Sequence, residues 1–220
     1  MHTVSTARTA TPPIAERRPR RSFRPWPRWL LTALAFPPSG YLAHLVAGRV
    51  DSVPAAVLNG VIAGAGIGAA QWALLRHRGV GPRWIVATAV GLGAGLAAGA
   101  ALVSYETDIT SLAAMGAVSG LGVGLAQGAR LGHARRTLGW TGVTAVLWAL
   151  GWTVTTAGGI DVSQQWAVFG AYGCFTLAVL QSTVIGAFVP APATADAGRT
   201  NGSSTDTSGE PDGVDSGTMF

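Results

Sequence analysis

The sequence has no lysine and a single cysteine, and only 11% of its 220 residues are charged. With no second cysteine, Cys174 cannot close an intramolecular disulfide or build a thiolate metal cluster. Sparse charge and a mean hydropathy of +0.37 exclude an ordinary soluble globule. No His, Cys or carboxylate pair has ligand spacing on one helix face, so no metal is expected. No charged residue lies well inside the apolar runs, where it would mark a transport path or proton relay. The net charge of +5 would suggest nucleic acid in a soluble chain. Here the arginines cluster at the ends of apolar runs, so they read as topology, and no nucleic-acid partner is expected.

What the sequence does contain is six apolar runs, at roughly 29–48, 53–75, 84–104, 109–131, 138–158 and 165–189. Each has about the 20 residues that a helix needs to cross a hydrocarbon core. Helix is required because backbone polar groups facing lipid must be satisfied within the segment. The expected fold is an all-α membrane protein of six transmembrane helices over 27–189. Arginine placement sets its direction. Arg76, Arg78 and Arg83 lie between the second and third runs, Arg130, Arg135 and Arg136 between the fourth and fifth, and seven arginines precede the first. The other side has Arg49 with Asp51, Glu106, Asp108 and Asp161. The positive-inside rule puts both termini in the cytoplasm.

Residues 1–26 form an Arg-rich arm and 190–220 a polar, acidic tail, and both compositions read as disorder. The arm is suited to contact with anionic headgroups. Arg20-Arg21-Ser22-Phe23 resembles a twin-arginine export signal and Ala33-Leu34-Ala35 a cleavage site. The first run nevertheless obeys an internal repeat, which a discarded signal has no reason to do, so retention is expected.

That repeat has two parts. Pro27-Arg28-Trp29 recurs as Pro82-Arg83-Trp84, and the fifth run opens with Leu138-Gly139-Trp140; Gly40, Gly95 and Gly151 each follow their Trp by eleven residues. Eleven residues are about three helical turns, which places each Trp and its Gly on one face. The even-numbered runs carry Gly60, Gly64, Gly68, Gln71; Gly116, Gly120, Gly124, Gln127; and Gly170, Cys174, Ala178, Gln181. Three copies in corresponding runs predict three parallel-oriented two-helix hairpins, 27–78, 82–135 and 138–189, about a pseudo-threefold axis along the membrane normal. Offsets of 0, 4, 8 and 11 keep each Gln on the ridge of its small residues. Two readings of Gln71, Gln127 and Gln181 stand: packing glue between closely approaching helices, or a polar ring lining a site.

His44 in the first run and Asn59 in the second are candidate polar groups at the outer mouth. Pro37-Pro38 interrupts the first run, where a broken helix can offer backbone groups to a substrate or only kink the chain. Ser119-Gly120 together with Ala43-His44-Leu45 bears on rhomboid-type intramembrane proteases, whose Ser sits in Gly-x-Ser-Gly and whose His lies in the sixth core helix. Residue 117 is Ala and the sixth run has no His. The three-hairpin plan is similar to mitochondrial carriers, but their Pro-x-acid-x-x-base signature is absent. Gly64, Gly68, Gln71, Trp72, Leu75 and Arg76, followed by an Arg-Trp-led helix, resemble uncharacterised bacterial multi-pass membrane proteins with GxxxGxxQWxxLR-type repeats. That resemblance covers most of 27–189 and implies no activity; Trp72 becomes Gly128 and Ser182 in the later repeats.

The expectation is therefore a non-enzymatic structural or interaction component of the bacterial plasma membrane, without catalytic residues, metal or cofactor. Its partners are the lipid bilayer and a second copy or another membrane protein. The alternative is a small-solute transporter or channel with its path along the pseudo-threefold axis.

Overall fold

The structure is a computed structural model and describes residues 26–189; the N-terminal arm, except Trp26, and the acidic tail lie outside the described residues. A 3-10 helix, Pro27–Ala35, runs directly into α1 (Phe36–Ala47). It is followed by α2 (Val53–Leu75) with a 3-10 turn at Arg76–Arg78, α3 (Arg83–Leu102), α4 (Ile109–Gly128), α5 (Ala134–Ala157) and α6 (Ala171–Phe188). No strand occurs among the described residues.

Five of these segments are long and apolar enough to cross a membrane: Pro27–Ala47, Val53–Arg78, Arg83–Leu102, Ile109–Gly128 and Ala171–Phe188. Large apolar side chains face outward, with Leu34 72%, Leu102 69% and Leu138 69% exposed. A soluble monomer avoids apolar surface on this scale, whereas a membrane-embedded one requires it. The remaining helix, α5, has the length but contains Arg135, Arg136 and six threonines. Four of those hydroxyls donate to the carbonyl four residues earlier at 2.8–3.0 Å: Thr141, Thr153, Thr155 and Thr156. Their polarity is therefore largely satisfied within the helix.

Each helix packs on its neighbours in sequence, and α6 packs on the 3-10 segment, so the first and last elements meet and close a ring. Short connections make successive helices antiparallel. Glycines bring backbones together at three seams of the ring, α2–α3, α3–α4 and α4–α5. A Cβ placed on Gly64 of α2 would stand 2.7 Å from the Thr88 carbonyl oxygen of α3, and one on Gly120 of α4 would stand 2.7 Å from Ala145 Cα of α5. Such backbone-to-backbone approach gains dispersion contact that no larger residue permits.

The expected segments differ from the observed ones in two places. Residues 165–170, expected in the sixth helix, form a loop that turns inward and buries Ala167, Val168 and Phe169. Gln165 has φ 50, its carbonyl accepts from Val50 N at 3.0 Å, and Asp161 caps the turn by accepting from Ser163 N. Gly170 is consequently the N-cap of α6, and a Cβ there would meet Ile160 and Thr155 rather than another hairpin. The ridge of the sixth helix is thus reduced to Cys174 and Ala178.

The second difference lies in the first segment. Pro37 and Pro38 have no N–H to offer the carbonyls of Ala33 and Leu34, and Phe36 N instead donates to Ala33 O across three residues. The preceding residues take up the tighter 3-10 winding, which turns about 20° further per residue than an α-helix. Trp29 and Gly40 therefore do not share a face as expected. Ser39, not Gly40, meets Gly66 of α2, while Gly40 lies against Val168.

Buried side chains form two cores along the ring. The larger centres on Phe36, Ile67, Leu92, Leu96, Trp148, Trp152 and Phe169. The smaller, at the arginine-bearing end, gathers Trp29, Leu75, Trp84, Trp140, Ile185 and Val189.

Candidate functional site

The three tryptophans that open the odd-numbered segments are all buried in the arginine-end core. An indole N–H is a donor only, and left unpaired in an apolar interior it costs about 1–3 kcal/mol. Each finds a glutamine. Trp84 Nε1 donates to Gln71 Oε1 at 3.0 Å, Trp140 Nε1 to Gln127 Oε1 at 3.0 Å, and Trp29 Nε1 to Gln181 Oε1 at 3.1 Å. The first two pairs are thirteen residues apart and span α2–α3 and α4–α5. The third joins residues 152 apart, the 3-10 helix to α6. The same donor and acceptor thus occur once at each seam where one even-numbered helix meets the next odd-numbered segment.

Further bonds join the first two pairs into a lattice. Gln127 Nε2 donates to Gln71 Oε1 and to Thr88 Oγ1, both at 2.8 Å, and Thr88 Oγ1 donates to Trp84 O. Gln71 Oε1 therefore accepts from an indole and from an amide. The Trp29–Gln181 pair stands apart, with no hydrogen bond to the other two pairs among the described residues. All three glutamines are at most 4% exposed, and the Trp84 and Trp140 rings lie 6.4 Å apart between them.

Beyond the lattice, towards the acidic-loop end, the interior is filled by aromatic rings. Phe36 and Phe169 stack at 5.2 Å, Trp148 meets Phe169 edge-on at 5.2 Å, and Trp152 does so at 6.0 Å. The lattice is neutral: each glutamine Oε1 accepts an indole N–H, and Gln127 Nε2 donates twice.

The remaining sequence candidates fall elsewhere. Gly60, Gly64 and Gly68 lie on α3, and Gly116, Gly120 and Gly124 lie on α5. His44 stacks on Trp166 of the α5–α6 loop, centroids 4.3 Å apart, and its Nδ1 is buried without a partner. Asn59 Nδ2 donates to Gly48 O and Ala55 O, both at 3.1 Å, tying down the α1–α2 turn. His44 and Asn59 meet only through Gly48, whose N donates to His44 O. Among the described residues no group of three or more His, Cys, Asp or Glu could hold a metal. Sequence reasoning identified Trp29, Trp84 and Trp140 as repeat markers without pairing them with the glutamines. The thirteen-residue spacing from Gln71 to Trp84 and from Gln127 to Trp140 was the available signal.

A scan of protein-family models, a search of curated proteins and a search of solved structures return no match to this chain.

Proposed function

We propose that the chain is a six-span integral membrane protein of the bacterial plasma membrane, three parallel hairpins about one axis with the arginine-rich end cytoplasmic. It acts as a non-enzymatic structural or interaction component. The observation that carries this reading is the consumption of each glutamine carbonyl by a buried tryptophan, above which aromatic side chains fill the interior. A solute path lined by these glutamines would need those carbonyls free to exchange partners with water. The repetition of one Trp–Gln bond at three seams supports the parallel-hairpin arrangement. The internally bonded threonines of α5 support a sixth span. With the interior occupied, the surface left for function is the apolar belt, where a second copy or another membrane protein can pack, and the loops.

The test places single cysteines at 71, 127 or 181 in a Cys174→Ser background and adds a membrane-impermeant thiol reagent to vesicles of either orientation. Protection in folded protein, with full labelling after denaturation in SDS, is expected. Labelling of all three in folded protein, with solute uptake into proteoliposomes that Gln→Leu substitution abolishes, would replace this reading with the transporter. His77→Cys labelled only from the cytoplasmic side, and Asp51→Cys only from the other, is the expected orientation result.

A further inference from the structure

At the arginine-bearing end, outside the tryptophan–glutamine lattice, lies a cavity of about 360 Å³. Its lining brings together Arg78 before and Arg83 at the start of α3, and Arg130 after α4 and Arg136 in the first turn of α5, with Trp84 and Phe188. The four carboxylates of the described residues, Asp51, Glu106, Asp108 and Asp161, all belong to the loops at the opposite end. Four guanidinium charges therefore face one space without a counter-charge among the described residues, an arrangement that repels itself until an anion enters.

Three of the four guanidinium groups are also uncommitted. Arg78 is held in place, with Nη1 donating to Val189 O at 2.7 Å and its guanidinium 4.2 Å from the Trp26 ring centre. Arg83, Arg130 and Arg136 have no side-chain hydrogen bond to another described residue. Arg83 also opens α3, whose N-cap Pro82 supplies no side-chain acceptor, and α5 starts after His133, which likewise does not cap. The positive ends of two helices thus add to the field of the arginines.

We infer that this cavity is a phosphate-binding site that takes the headgroup of an anionic phospholipid or free phosphate. Guanidinium forks match phosphate oxygens two at a time, and a cavity with the liquid volume of roughly ten waters has room for a phosphodiester and its glycerol. Its position at the mouths of the helices suits a headgroup whose chains lie along the apolar outer surface. The inference goes beyond the structural role proposed above, and its free-phosphate arm does not depend on that role.

The experiment uses the full chain in a non-ionic detergent and titrates dioctanoyl phosphatidylglycerol, dioctanoyl phosphatidylcholine and inorganic phosphate, read by thermal shift and by native mass spectrometry. Phosphatidylglycerol should bind and phosphatidylcholine should not. Arg83→Gln with Arg136→Gln should weaken binding at least tenfold. Arg76→Gln with Arg135→Gln removes the same charge from residues that do not line the cavity and should leave binding unchanged. Phosphate displacing the lipid at similar concentration assigns the site to the free ion; lipid binding that resists phosphate assigns it to the headgroup. Equal binding of the two lipids, or equal loss in both double variants, overturns the inference. If the first double variant does not fold, Arg130→Gln alone, at an exposed position, should weaken binding at least threefold, and unchanged binding there overturns it equally.

Discussion

Two of the seams that carry a Trp–Gln bond are built differently from the third. At α2–α3 and α4–α5, glycines bring backbones together and a short connection holds the two helices covalently. Where α6 meets the first segment, the ridge carries Cys174 and Ala178, the partner is a 3-10 helix, and no connection links the two. That seam is held by Trp29 to Gln181, by Trp26 N to Ser182 O at 2.9 Å, and by Arg78 to Val189 O. The comparison teaches that backbone complementarity serves where the chain already enforces proximity. Where it does not, the Trp–Gln bond common to all three seams is joined by a backbone bond from Trp26 and by the Arg78 side chain.

The sharpest way to break the contrast is to enlarge the ridges. Gly64→Leu and Gly120→Leu each push a side chain into a neighbouring backbone and should cost about 3 kcal/mol or abolish folding. At the third seam, Cys174→Ala should cost under about 1 kcal/mol. Thermal unfolding in detergent reads both; equal losses would erase the distinction between the seams.

The lattice bonds should follow the same ordering. Gln127→Leu removes one acceptor and two donations and strands the Trp140 N–H, at an expected cost of about 2–3 kcal/mol; Gln181→Leu strands only Trp29, at about 1 kcal/mol. Reversible unfolding in SDS mixtures would measure the difference, and a larger loss at 181 would place the keystone at the closing seam instead.

Thr88 and Thr144 offer a finer comparison, since each lies four residues after its tryptophan. Thr88 accepts from Gln127, whereas Thr144 Oγ1 is buried without a partner. Thr88→Val should destabilise by about 1 kcal/mol, and Thr144→Val should fall within about 0.5 kcal/mol of neutral or improve stability. Destabilisation of both by the same amount would show that Thr144 is hydrogen-bonded in solution.

The smallest expected effect lies at the acidic-loop end. Asp108 caps α4 by accepting from Thr110 N and Ser111 N, and hydrogen bonding from Ser111 holds its carboxyl below the ordinary value of 3.8. A depressed folded-state value means that this contribution is complete above the ordinary value and is lost as pH falls through the lowered one. Thermal midpoints should decline on acidification below about pH 4. Asp108→Asn should flatten that limb, and an unchanged limb would assign the acid sensitivity to another carboxylate.

The helices were legible because apolar runs between arginine clusters leave few alternatives to helix, and α2 begins and ends at the expected residues 53 and 75. Gly64 of α2 and Gly120 of α4 lie where those helices approach α3 and α5. Three features escaped. The 3-10 winding ahead of Pro37-Pro38 depends on which carbonyls lose their donors, which periodicity does not register. The inward fold of 165–170 depends on Val50 and on Asp161, distant or local partners that an apolar run conceals. The Trp–Gln pairing needs two markers to be read as donor and acceptor, not as separate signatures.

The bond from Trp29 to Gln181 also sets an order of events in synthesis. At roughly 5–20 residues per second, the 152 residues between them take on the order of ten seconds to emerge. Throughout that interval the first helix has α2 as a neighbour but not the last helix that completes its surroundings. A chain halted before residue 181 would leave the Trp29 indole without its acceptor and one flank of the bundle open, so α6 serves as the latch that distinguishes a finished molecule from an interrupted one.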